Sequence, residues 1–310
     1  MNPLRLSARH GPLVLVTGLV AGLLLPGLAE PMRPLLPPLV GLLLFLTVLR
    51  MEPTAILGSL ADLSQVSKTV MGFQVALPLF VAAIGIGVGW TGSPVFLSLL
   101  IMAAAPSISG SPNMCLMLGY TAEHALRLMV VGTAILPLTA FPIFWMIPEL
   151  GDISSVLKAT FRLFLTISLA TLAAMVIRRR FLRDPTRPVL ENLEGLATIT
   201  LAVFVVGLMP SVSSTALIDP KIAIFWIGFA CLLNFGAQLV VFYFTRGRLS
   251  ADKATAVSLI AGNRNIAIFF VALPPEVTAP ILVFIGAYQI PMYLTPTVMR
   301  RVYRSIADID

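Results

Sequence analysis

The sequence predicts an all-α membrane protein, and three observations carry that prediction. Hydrophobic residues make up 58% of the 310 and charged residues only 11%, with a mean hydropathy of +0.96. Soluble domains do not have this balance. The apolar residues fall into ten runs of roughly the length that crosses a bilayer. The basic residues sort to one side of those runs.

The runs cover 12–28, 35–49, 70–90, 95–118, 126–147, 156–177, 193–209, 222–244, 254–273 and 279–299, here segments 1 to 10. Segment 1, preceded by Arg5 and Arg9 and followed by Gly27-Leu28-Ala29, mimics a signal peptide with its cleavage site. With so many similar runs behind it, it reads as a first membrane helix. The longest polar connection is 178–194, so no soluble domain is expected between segments. With the N-terminus inside, all lysines and arginines fall on the inner side except Arg33, Lys158, Arg162 and Lys221, and Arg264 within segment 9. Both termini are therefore expected in the cytoplasm. The net charge of +7 belongs to those inner connections rather than to a nucleic-acid surface. The two cysteines, Cys115 and Cys231, sit in apolar runs and imply no disulfide framework.

Ten segments with an odd-numbered half suggest an inverted five-plus-five repeat. Segment 5 carries Pro137 and Pro142 around Thr139; segment 10 carries Pro291 and Pro296 around Thr295. The segment before each is interrupted. Segment 4 holds Pro106-Ser107-Ile108-Ser109-Gly110-Ser111-Pro112-Asn113, where two prolines remove helix hydrogen bonds and small polar residues fill the gap. A helix restarting near Pro112 would point free N–H groups into the membrane interior and favour an anion. Segment 9 holds Gly262-Asn263-Arg264-Asn265, an arginine at a depth where a charge needs a partner or a water-filled cavity. Two readings of Arg264 stand level: a cation neutralising helix C-terminal carbonyls, or an anion-binding group. Two interrupted helices at matching places in the two halves point to a transport site.

The remaining polar residues read more plainly. Gln74, Asn234, Gln238, Tyr288 and Gln289 are lone polar groups in apolar helices, expected to bond a neighbouring helix. Gly85, Gly87 and Gly89 read as close helix packing, and His124 with Glu123 and Arg127 as a solvated charge cluster in a loop. Every carboxylate, Glu52, Asp62, Asp308 and Asp310 included, falls in a connection or at a segment end, so no proton relay or carboxylate cation site is expected. There is no His-Glu-x-x-His, paired-aspartate or P-loop motif. Neither an enzyme nor an ATP-driven pump is expected, and no cofactor or metal.

Several of these features resemble the bile acid:sodium symporter family. They are Gln74-x-x-x-Pro78 in segment 3, the proline and small-residue stretch ending at Asn113 in segment 4, and Thr133 and Pro137 in segment 5. Segment 9 adds Ala251-Asp252-Lys253 followed by Gly262-Asn263-Arg264-Asn265, where the family has Gly-x-Gln-Asn. The likeness covers nearly the whole chain in span count and order. It implies one transporter domain over 1–310, with core helices at about 70–147 and 222–299 and panel helices at about 12–49 and 156–209 that move against them. It implies an organic-anion cargo, small or amphipathic, bound by Ser109, Ser111, Asn113, Asn263, Arg264, Asn265 and Gln289. It places an ion-site region at Gln74, Asn113, Thr133 and Arg264. The family's sodium-ligating glutamate reads Ile260 here, its glutamine reads Arg264, and its early segment 5 hydroxyls read Ala125 and Met129. These departures lead us to expect function without sodium, with a fixed guanidinium in the cation's place. The expected setting is a bacterial inner (plasma) membrane. A non-transporting ligand-binding protein on the same fold, a sensor or assembly partner, is the alternative.

Overall fold

A computed structural model describes residues 2–51 and 63–307. These residues are mostly helical, and their only β contacts are two isolated bridges. In chain order the helices are α1 (Pro3–Arg9), α2 (Gly11–Leu24), α3 (Leu36–Arg50), α4 (Leu63–Val88), α5 (Pro94–Ala104), α6 (Ser111–Leu118) and α7 (Glu123–Trp145). They continue as α8 (Ile153–Phe181), α9 (Arg187–Ile218), α10 (Pro220–Thr245), α11 (Ala251–Gly262), α12 (Leu282–Val298) and α13 (Arg300–Ala307). Among the described residues, seven helical segments are long and apolar enough to cross a membrane, or eight if α1 and α2, bent by 95°, count as one. The outer faces of α8 and α10 present large apolar side chains such as Phe161, 60% exposed, and Phe244, 66% exposed. Water does not tolerate such a surface, and the chain is an integral multi-pass membrane protein.

Local chemistry sets the element ends. Asp152 accepts from the Ser155 amide at 2.9 Å and caps α8, whose last turn carries Arg178, Arg179 and Arg180 against the carbonyl end. Pro12 in the first turn of α2 enforces the bend after α1. α2 lies along α9 through Gly18 and Gly22; a Cβ at Gly22 would come within 2.7 Å of Met209 Cβ.

Three details differ from the sequence reading. α8 and α9 run further than the apolar runs, which shortens the 178–194 connection to 182–186 and puts Glu191 and Glu194 on a helix. His124 is buried in the first turn of α7, beside a Glu123–Arg127 pair one helical turn apart, so the trio is not a solvated loop cluster. Of the three glycines in α4, only Gly85 faces a close neighbour, the Phe96 ring; Gly89 is instead the left-handed residue, φ 74°, that ends the helix. Of the carboxylates named from sequence, Glu52, Asp62, Asp308 and Asp310 lie outside the described residues.

Candidate functional site: the crossing of two interrupted helices

α5 ends because its last carbonyls lose their donors. The Ala105 amide turns back to Ile101 and Met102, Pro106 has no N–H, and the chain is not helical again until Ser111. α11 ends at Gly262, after which Asn263–Asn265 pass without helical bonding into a 3-10 turn, Ile266–Val271. The two gaps lie against each other as one antiparallel bridge between Ser107 and Arg264. The Ile108 amide donates to the Asn263 carbonyl at 3.0 Å, and the Asn265 amide donates to the Pro106 carbonyl at 2.8 Å. Each break supplies backbone partners that the other lost. This is the condition for leaving irregular backbone inside an apolar layer.

Arg264 ties a third element to the crossing. Its Nη2 donates to the Ala103 carbonyl at 2.6 Å, in the last turn of α5, and to the Phe73 carbonyl in α4 at 2.9 Å. Phe73 is available for a local reason. Residues 72–76 form a π-turn, in which the Leu77 amide bonds Gly72 rather than Phe73, and residue 78 is a proline without N–H. Gln74-x-x-x-Pro78 thus leaves an orphan carbonyl, and a guanidinium fills it while lying over the Phe73 ring at 5.1 Å. Arg264 is 2% exposed. Among the described residues its Nε and Nη1 make no hydrogen bond. Nη2 therefore holds the scaffold, while Nε and Nη1 keep donors that no described residue takes.

Behind the second break lies a buried polar network. Asn234 Nδ2 donates to the Gly262 carbonyl and, at 3.3 Å, to Asn263 Oδ1; the Tyr288 hydroxyl donates to the same Gly262 carbonyl. Gln238 Nε2 donates to Asn234 Oδ1 at 2.7 Å and to Thr295 Oγ1 at 3.2 Å, and Thr295 Oγ1 donates to Asn263 Oδ1 at 3.1 Å. Tyr303 donates to Gln238 Oε1 at 2.8 Å and also meets Ser258. Gly262 is required here: a Cβ would sit 2.0 Å from the Asn234 carbonyl oxygen. Tyr303 was not singled out by the sequence reading, and Thr295 appeared there only between Pro291 and Pro296. Single hydroxyls in apolar helices carry no periodic signal, and only the opposing amides Asn234 and Gln238 hinted at partners.

Two cavities open in front of the crossing, on either side of α3. The larger, about 610 Å³, is lined by Ser109, Asn113, Arg264, Asn265 and Gln289, with Arg9, Arg50 and Glu194 also on its wall. Phe204, packed edge-on against Phe270 at 6.1 Å, belongs to this cavity wall and to the main core, where Phe144–Phe269 and Phe284–Tyr288 also pack. The smaller cavity, about 190 Å³, is lined by Thr133 and three methionines, Met51, Met129 and Met175, and shares Leu44, Thr47, Ser109 and Asn265 with the first. The candidate ligands thus divide. Ser109, Asn113, Arg264, Asn265 and Gln289 share the large cavity, and Thr133 faces the small one. Ser111 is fully buried and bonds Ser107 at 2.8 Å; Asn263 belongs to the network behind the break. Gln74 is buried against α7, accepting from Thr139 at 3.2 Å, and lines neither cavity. Glu194 is the site residue that the sequence reading missed, because it placed 178–194 in a polar connection. Ala251-Asp252-Lys253 opens α11, where Asp252 accepts from the Thr121 amide at 2.8 Å and Lys253 donates to Gln65 at 3.0 Å.

Comparison with family models found no match to this chain, and comparison with curated proteins found none either.

Proposed function

We propose that this chain is a secondary transporter of an organic anion, built on the fold of the bile acid:sodium symporter family and working without sodium. The observation that carries the reading is the pair of interrupted helices bonded to each other beside a 610 Å³ cavity whose wall includes Arg264. Discontinuous helices that meet at mid-depth and line a cavity are the arrangement secondary transporters use to bind cargo. On this reading α5–α6 and α11 with its 3-10 turn are two broken spans, which bring the count to ten in two inverted halves. α3, α8 and α9 belong to the panel. The termini are cytoplasmic, and Arg9 and Arg50 mark the cytoplasmic mouth of the cavity.

The sodium-independent part rests on Arg264. In the proposed site it does the work of a bound cation, drawing carbonyls from two helices onto one positive centre. A sodium ion about 4 Å from this guanidinium would be repelled by about 4 kcal/mol at an effective dielectric of 20. The test is uptake into proteoliposomes, with a panel of labelled organic anions, in sodium and in choline buffer. Equal uptake in the two buffers is the expected result. No uptake of any anion would defeat the transporter reading. A tenfold sodium stimulation, about 1.4 kcal/mol of coupling, would defeat the fixed-cation part alone.

A further inference from the structure

Arg50 is the last residue of α3, half-buried, and it lines the large cavity. Its Nε donates to the Leu46 carbonyl at 3.3 Å. Among the described residues its two terminal nitrogens make no hydrogen bond and no ion pair. A basic residue in a last turn ordinarily offsets the helix dipole, but Arg178 also reaches this end of α3, donating from Nη1 to the Leu49 carbonyl at 3.4 Å. The acid on the same cavity wall, Glu194, acts on Arg50 electrostatically without a contact ion pair. Among the described residues, the cavity therefore presents guanidinium donors without partners at two places, Arg264 at the crossing and Arg50 toward the end of α3.

We propose that Arg50 is a second anion-binding group and that the ligand carries two anionic groups, one at the crossing and one at Arg50. This deepens the anion reading above and rests on it. The separation follows from the helix. Leu44 and Thr47 both border the two cavities together with Ser109 and Asn265, which puts this turn of α3 level with the crossing. Arg50 lies three to six residues further along α3, about 4.5–9 Å at 1.5 Å per residue. Two carboxylates joined by a chain of a few carbons match that span, whereas a compact inorganic anion reaches one group only. Arginine presents a planar fork to each carboxylate and keeps its charge at any working pH. Glu194 on the same wall opposes a second anion, so a ligand with one carboxylate and an apolar tail draws no benefit from Arg50.

The test measures binding of adipate and of hexanoate, acids of equal carbon number, to the full-length protein by calorimetry. Adipate is expected to bind at least tenfold more tightly than hexanoate. Arg50→Gln should bring adipate down to the affinity of hexanoate, Arg50→Lys should keep part of the difference, and Glu194→Gln should tighten adipate. Equal binding of the two acids to the unmutated protein overturns the proposal and leaves the anion reading standing. So does an Arg50→Gln effect that weakens both acids by the same factor, the mark of a structural role. If Arg50→Gln lowers the unfolding temperature, Arg50→Lys and Glu194→Gln decide the matter: no change in the adipate-to-hexanoate ratio in either overturns it. Absence of binding by both acids to folded protein overturns it together with its claim on this ligand class; uptake of other anions then tests the transporter reading separately.

Discussion

Arg264 fills the first of the two roles its position allows, and in the proposed transporter its remaining donors take the anion. Its Nη2 is committed to the Ala103 and Phe73 carbonyls, and among the described residues its Nε and Nη1 have no partner. Arg264→Met removes a charged donor from two buried carbonyls. An unsatisfied buried acceptor costs about 1–3 kcal/mol, so we expect a loss of about 2–5 kcal/mol in chemical unfolding of detergent-solubilised protein. Arg264→Lys places a charge nearby but lacks the planar fork, and we expect it to recover only part of that loss. A loss under 0.5 kcal/mol for Arg264→Met would show that the two carbonyl bonds contribute nothing. Arg264→Gln combined with Ile260→Glu restores the residue types that the resemblance implies for a sodium site. In the proposed transporter this double variant should weaken uptake in choline and make uptake sodium-dependent, read by the same buffer comparison.

At the scale of elements, the π-turn in α4 and the end of α5 form one device with Arg264. Pro78→Ala returns an N–H to the turn and gives the Phe73 or Gln74 carbonyl a local partner. Its effect should therefore depend on Arg264. In a double-mutant cycle of Pro78→Ala with Arg264→Met we expect a coupling energy of about 0.5–3 kcal/mol, and simple additivity would separate the two elements. The second break makes a sharper demand. Gly262→Ala drives a methyl into the Asn234 carbonyl at 2.0 Å, where backbone must move, while Gly236→Ala meets its nearest neighbour at 4.0 Å. Overpacking costs about 1–3 kcal/mol or more, so unfolding midpoints should fall for Gly262→Ala and hold for Gly236→Ala. The helix ends at Ala104 and Gly262 were legible in the sequence, because Pro106 and Gly262 act locally. Their mutual pairing was not: the Ile108–Asn263 and Asn265–Pro106 bonds join residues far apart in sequence, and backbone pairing leaves no side-chain pattern. The orphan carbonyl at Phe73 was half legible. Pro78 announces a missing donor, but nothing in the sequence says that residue 264 will supply one.

At the scale of the whole molecule, the apolar runs forecast the helices well where a helix is buried in lipid, because there length and hydropathy are set by the same layer. They failed at α8 and α9, which extend past the apolar run into charged turns, with Arg178–Arg180 against the carbonyl end of α8 and a proline in the first turn of α9. That failure hid Glu194 from the site. The packing is lopsided: both cavities lie on the side of the crossing that includes Arg50 and Met51, while Phe144, Phe269 and Phe284 fill the core elsewhere. In the proposed transporter this is a state open to one side, and the side is the cytoplasm if Arg9 and Arg50 follow the basic-residue bias. Reporter fusions after Arg248 and after Arg301 should then both report the cytoplasm. The accessibility that follows can be measured directly. With Cys115 and Cys231 replaced, single cysteines at Ser109 and Asn265 should react with a membrane-impermeant thiol reagent in inside-out vesicles, and a cysteine at fully buried Ala140 should not. Transported anion should slow labelling at Ser109 and Asn265 by occupying the cavity or by closing it. Labelling at these two sites that is confined to right-side-out vesicles would reverse the orientation. No labelling at either site from either side would mean a dry crossing, and alternating access around it would have to be abandoned.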